Sequence, residues 1–220
     1  MSHVTCQRFT GLALLAAVAA AAVLLPAGPG RADLVEFTTL RGGGGDLGVT
    51  TQTFTTTGLT AAGVTFDLTI TAATNRGGNL HQDNMGLGEM GGQHGPEGSI
   101  SDLGEQVVLS APVVTNITPI GSTVIVNGFE DLAIGAFTGS LDVRGTVNGT
   151  AFGPLPAGIY NGIDPDGAGT FAPALDVQWV SGAFKVQRPR LDVTARVVPE
   201  PATLSLLALA PLAALRRRRR

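Results

Sequence analysis

The chain has 220 residues, of which 44% are hydrophobic, only 5% are aromatic and 31 are glycine, and its formal net charge is −3. With both ends set aside the balance turns strongly acidic: residues 33–198 carry 16 of the 17 Asp and Glu side chains, all but Glu200, against seven Lys and Arg, a net of about −9. Such a surface excludes nucleic acid and anionic lipid as natural partners and favours cations, or polymers that carry bound cations.

The N-terminus, MSHVTCQRFTGLALLAAVAAAAVLLPAGPGRADLVEF, places Arg8 before an apolar stretch from Gly11 to Leu25, followed by Pro26–Ala32. This is the charged, apolar and small-residue order of a secretory signal peptide, with Gly30 and Ala32 set for cleavage before Asp33. The apolar stretch is shorter than the roughly 20 residues a membrane span needs. Residues 1–32 are therefore expected to be a leader, and the single cysteine, Cys6, leaves with it. A mature chain without thiols must be held by core burial or bound ions rather than disulfides. Residues 33–198 suffice for one domain of ordinary size.

Between Asp33 and Val198 the sequence shows no helical periodicity. Short runs of Val, Ile, Thr and Phe alternate with Gly, Asn, Asp and Pro, which is the pattern of strands and turns. Predicted strands are Leu34–Thr39, Val49–Thr56, Val64–Thr71, Gln106–Ser110, Val113–Thr118, Ser122–Asn127, Ser140–Val147, Phe171–Val180, Gly182–Val186 and Leu191–Val198. In GVTFDLTIT, Val64, Phe66, Leu68 and Ile70 share one face and Thr65, Asp67, Thr69 and Thr71 the other, as in an antiparallel sheet with one dry side. The fold class expected is all-β, an antiparallel β-sandwich or jelly-roll-like ectodomain.

Two stretches interrupt the strands. RGGGGDLG, Arg41–Gly48, reads as a turn rather than a phosphate cradle, because no Lys-Ser/Thr pair or helix follows it. The stretch from Asn75 to Glu105 reads as one long polar loop, and loops of that length tend to be functional or disordered. It gathers His81, Asp83, Asn84, Glu89, His94, Glu97, Asp102 and Glu105. Asp83, Glu89, Glu97, Asp102 and Glu105 are the Ca²⁺ candidates, since carboxylates and glycine-flanked carbonyls suit that ion. The histidine spacing matches no zinc signature. A solvated acidic loop, a structural Ca²⁺ site and a catalytic cluster all fit these residues, the first most simply.

Ile163–Gly169, IDPDGAG, has Asp164 and Asp166 two apart but lacks the distal Glu of a helix–loop–helix calcium site, so a turn explains it more simply. Asn116-Ile117-Thr118 and Asn148-Gly149-Thr150 fit the glycosylation sequon. Catalysis has little material. The mature chain has no Cys, two His in one loop, no Gly-x-Ser-x-Gly elbow and no His-Glu-x-x-His pair. No catalytic residue is assigned and the chain reads as a non-enzyme; a glycan hydrolase ranks behind a lectin-like module whose groove residue would be Trp179, the single tryptophan.

The chain closes with VPEPATLSLLALAPLAALRRRRR. Ala202–Leu215 carries no charge and is interrupted by Pro211, and Arg216, Arg217, Arg218, Arg219 and Arg220 follow. An apolar segment backed by arginines is a brief membrane stop with its charged end on the cytoplasmic side. Pro199, Glu200 and Pro201, the apolar segment and the terminal arginines, in this order, closely resemble the PEP-CTERM sorting signal of bacterial exported proteins. The resemblance implies that a membrane-embedded exosortase recognises Pro199-Glu200-Pro201, removes the tail and delivers the rest to the cell surface or an exopolysaccharide matrix. Asn84–Ser110 is similar to a stretch of the ectodomains that accompany this signal, with an Asp-x-Gly-Glu turn at Asp102-Leu103-Gly104-Glu105 where the usual form has proline in place of Leu103. That likeness implies a β-sandwich. The expected organisation is thus a leader over 1–32, an ectodomain over 33–198 and a sorting signal over 199–220. The expected partners are the secretion machinery and an exosortase, with extracellular polysaccharide as the ligand of a structural or adhesive domain.

Overall fold

The computed structural model describes residues 31–75, 77–90, 98–137, 142–165 and 171–198. Fifteen strands run in chain order: β1 Arg31–Glu36, β2 Gly45–Asp46, β3 Thr51–Ala61, β4 Val64–Thr74, β5 Leu80–Asp83, β6 Gly86–Glu89, β7 Gln106–Leu109, β8 Val113–Thr118, β9 Thr123–Ala136, β10 Val143–Val147, β11 Thr150–Leu155, β12 Gly158–Ile163, β13 Leu175–Ser181, β14 Phe184–Val186 and β15 Arg190–Arg196. All pairings are antiparallel. They form two sheets. The first has the order β1-β15-β9-β14-β6-β5-β2 with β12 on the free side of β9; the second has the order β11-β10-β13-β7-β4-β3 with β8 also on β4.

The all-β antiparallel expectation holds, and its cause is visible in β4. Val64, Phe66, Leu68, Ile70 and Ala72 are buried while the residues between them are half-buried, the period-2 burial that pins register. That apolar row meets Val107, Leu109, Leu175 and Val177 of the same sheet and Phe129, Ile134, Phe184, Leu191 and Val193 of the other in one core. Phe184 meets Phe152 edge to face, with ring centroids 5.3 Å apart.

Several strand boundaries differ from those the sequence predicts. β9 continues nine residues past Asn127, because from Gly128 onward it is covered on nearly every side and no longer alternates. β11 and β12 were not expected, since TAFGPL and GIYNGI carry glycine and proline; β11 is the terminal strand of its sheet, where a missing backbone donor is tolerated. The larger correction concerns Asn75–Glu105. It is no single loop, because β5 and β6 form a hairpin inside it, with Leu80 opposite Glu89 and Asp83 opposite Gly86.

The outward face of β3, β4 and β8 is a threonine ladder, with Thr55 and Thr69 hydroxyls 2.9 Å apart and Thr53 and Thr71 3.3 Å apart. Beside it the Asn116 amide donates to Asp67 at 2.6 Å and the Gly58 N–H donates to the other carboxylate oxygen at 2.8 Å. The Asn116 bond foremost, then that of Gly58, holds the Asp67 carboxyl below its ordinary value of 3.8, against a smaller effect of burial. A carboxylate lowered on folding adds stability above its unfolded value, and that stability is lost as pH falls through the lower folded value. The melting-temperature gap between the native domain and Asp67→Asn is therefore expected to be full above about pH 4 and to close below it. A gap unchanged down to strongly acidic solution would contradict the pairing.

The leader, apart from Arg31 and Ala32, and the tail from Pro199 lie outside the described residues. Arg31 and Ala32 open β1, opposite Ala195 and Thr194. The expected cleavage bond, Ala32–Asp33, thus falls within an edge strand, and the Asp33 carboxylate accepts the Ala62 N–H at 2.8 Å.

Candidate functional site

Among the described residues, the expected Ca²⁺ candidates Asp83, Glu89, Asp102 and Glu105 are not brought together as one oxygen cage. Glu97 and His94 lie outside the described residues. Glu89 ends β6 with 1% exposure, and its two carboxylate oxygens accept the N–H groups of Gly78 at 3.1 Å and Gln106 at 3.3 Å. Glu105 is 3% exposed and one oxygen accepts Ser101 N–H at 2.5 Å and Asp102 N–H at 2.9 Å. Asp102 accepts the Leu103 N–H at 2.7 Å. These acids clamp backbone donors of the irregular chain before β5 and before β7, and of the first residue of β7. The turn itself closes with Glu105 N–H on the Asp102 carbonyl, and Gly104 at φ +83° takes the left-handed third position of a type II turn, whose second position, here Leu103, suits proline. Among the described residues no group of three or more His, Cys, Asp or Glu is arranged to hold a metal ion.

Asp83 has a different setting. It ends β5 on the face of the first sheet that is turned away from the core, and its Oδ2 accepts from Lys185 Nζ at 2.6 Å. His81 Nε2 lies 3.8 Å from the same oxygen. The Met85 N–H donates to Oδ1 at 2.8 Å. Lys185 sits in β14 between Phe184 and Val186, which point into the core, so alternation sends its side chain to the opposite face. That face is covered here: Lys185 is 1% exposed and its ammonium lies 5.6 Å from the Phe137 ring centroid. Burial works against ionisation of Asp83 as the largest single effect. The Lys185 hydrogen bond, the Met85 N–H, the Lys185 charge and His81 together outweigh it and hold the carboxyl below its ordinary value.

Glycines make room for this cluster. A Cβ on Gly88 would stand 2.0 Å from the Gly98 carbonyl oxygen, and one on Gly98 would stand 2.0 Å from the His81 ring. The Gly98 backbone therefore crosses directly over His81 and β6. Gln187, next outward on the Lys185 side, is fully buried beside Gly135, and neither atom of its amide has a hydrogen-bond partner among the described residues. His81 Nδ1 is likewise buried without a partner among the described residues. The result is a charged nest in which Lys185 and Gln187 are buried, His81 and Asp83 are half-buried, and glycines form the floor.

Sequence reasoning found Asp83 and His81 but missed Lys185. A signal was present, because Lys185 is the only lysine in the chain, all other cationic side chains being arginine, and it stands in the apolar run AFKV. Fully buried lysines are rare and require a partner. Trp179 is partly buried at the core margin with its indole N–H donated to the Gly182 carbonyl at 2.7 Å. The amides of both sequon asparagines are engaged, Asn116 on Asp67 at 2.6 Å and Asn148 on the Ala174 carbonyl at 3.0 Å. A second ion pair, Arg190 with both oxygens of Asp131, ties β15 to β9.

Compared with protein-family models, with curated proteins and with solved structures, the chain finds no match.

Proposed function

We propose that the two sheets form the jelly-roll-like ectodomain of an exported bacterial surface or exopolysaccharide-matrix protein, flanked by an N-terminal signal helix and a C-terminal hydrophobic helix, with a structural or adhesive role and no catalysis of its own. The observation that carries the reading is the C-terminal order of Pro199-Glu200-Pro201, an uncharged segment and five arginines, together with the signal-peptide pattern of residues 1–32. On this reading an exosortase cleaves near Glu200, Ala32–Asp33 is the leader junction, and the anchor is temporary. The scaffold chemistry is compatible with it. Glu89 and Glu105 hold backbone and Asp83 is paired with Lys185, so these three of the five expected Ca²⁺ candidates already have structural partners.

Intact-mass analysis of protein from the native host, combined with cell fractionation, tests the proposal. The expected product begins at Asp33, ends near Glu200 and is recovered outside the inner membrane. A mature chain that retains Arg216–Arg220 would overturn the sorting reading. A lectin-like reading is the alternative, and it predicts saturable sugar affinity lost on Trp179→Ala.

A further inference from the structure

We propose that Lys185 and Asp83 condense into an isopeptide amide, a covalent staple between β14 and β5 that lie 102 residues apart in sequence. Three observations carry it. The amine and the carboxylate oxygen are already 2.6 Å apart, and the lysine is 1% exposed. The cation is lysine in a chain that uses arginine everywhere else. An arginine would serve a pure ion pair at least as well through its bidentate fork, but its guanidinium does not lose a proton, whereas a buried lysine amine can. Finally, the only cysteine is Cys6, so a disulfide within the domain is not available as a cross-link.

The chemistry balances without a co-reactant. Within the pair one proton passes from the Lys185 ammonium to the Asp83 carboxylate, giving a neutral amine and a carboxylic acid. The ion pair is the resting form, since its partners hold the Asp83 carboxyl below its ordinary value, and the neutral pair is the minor species that reacts. The amine nitrogen attacks Cγ, the Nζ–Cγ bond forms, the Cγ–Oδ2 bond breaks, and the oxygen leaves as water with the transferred proton and a second one from nitrogen. His81 Nε2, 3.8 Å from that oxygen, is placed to carry the second proton. Fixed neighbours of this kind react with effective concentrations of about 10⁵–10⁸ M, which lowers the barrier to the bond-forming step. The product replaces the charges of a buried lysine and a half-buried carboxylate by a neutral amide, with the Phe137 ring centroid 5.6 Å from the nitrogen.

The test is the mass of the purified native protein, its termini fixed by peptide sequencing. The expected value is the sequence mass less one water, and tryptic digestion is expected to give one joined pair of peptides, one containing Asp83 and the other Lys185. Lys185→Arg preserves the charge and the hydrogen bond but cannot condense, so its mass is expected to be the full sequence mass. A natively folded protein at full sequence mass would overturn the proposal. So would a missing water that maps elsewhere, such as a cyclised Asp-Gly, or that persists in Lys185→Arg.

Discussion

Phe184→Ala is expected to destabilise the domain by about 4 kcal/mol, read as a lower urea midpoint at unchanged slope. Phe184 has no exposed surface and projects from β14 of the first sheet to meet Phe152 of β11 in the second at an interplanar angle of 83°. The strand that carries it is short, and it is held by Ala136 on one side and by reciprocal backbone bonds with Ile100 on the other, at 2.8 and 3.2 Å. With both flanks bonded the backbone cannot collapse into the space the ring vacates, which places the cost toward the upper end for such truncations. Phe184→Leu keeps most of the volume and is expected to cost under half as much. In a double-mutant cycle with Phe152→Leu the ring pair should account for about 0.5–1.5 kcal/mol of coupling. A loss below about 1 kcal/mol for the alanine variant would show that the two sheets do not depend on this contact.

The sequence was legible where burial is one-sided. β7 and β8 were predicted to within a residue and β4 from its first residue, three short at its end, because Val64, Phe66, Leu68 and Ile70 face a dry core while Thr65, Asp67, Thr69 and Thr71 do not; β3 ends five residues beyond its predicted end. Legibility failed where both faces are covered or where glycine replaces a side chain. The second half of β9 is buried on both faces and its period disappears. The β5–β6 hairpin was concealed for a related reason: Gly86 and Gly88 stand where a Cβ would strike Val186 and Gly98 backbone oxygens, at 2.3 and 2.0 Å. Glycines demanded by close packing look in the sequence like those of a flexible loop. The site was half legible on the same grounds. Asp83 and His81 drew notice as polar residues within a polar stretch, whereas Lys185, 102 residues from Asp83, becomes meaningful only when β14 and β5 enter the same sheet.

Glu105→Ala should lower stability by about 3 kcal/mol, a shift in melting temperature of about 6–12 °C for a domain of this size. The carboxylate is 3% exposed and gathers the N–H groups of Ser101 and Asp102, with the Ser101 hydroxyl at 3.5 Å. Its own backbone carbonyl receives the Trp179 N–H at 3.2 Å, joining the turn to β13. Ser101 is buried, so truncation to alanine leaves a backbone donor with neither a partner nor water, and each such orphan costs about 1–3 kcal/mol. Glu105→Gln keeps one acceptor oxygen in reach and removes only the charge, so about 1 kcal/mol is expected from it. The same pair of variants separates the two roles open to this acid. As a clamp on backbone, its loss is equal with EDTA present or absent, and the native melt is unmoved by the chelator. As a Ca²⁺ ligand, its loss would vanish in EDTA, because the chelator would already have taken what the carboxylate held. The two N–H bonds, made by Ser101 and Asp102 at the entry to the turn that ends at Glu105, favour the first outcome.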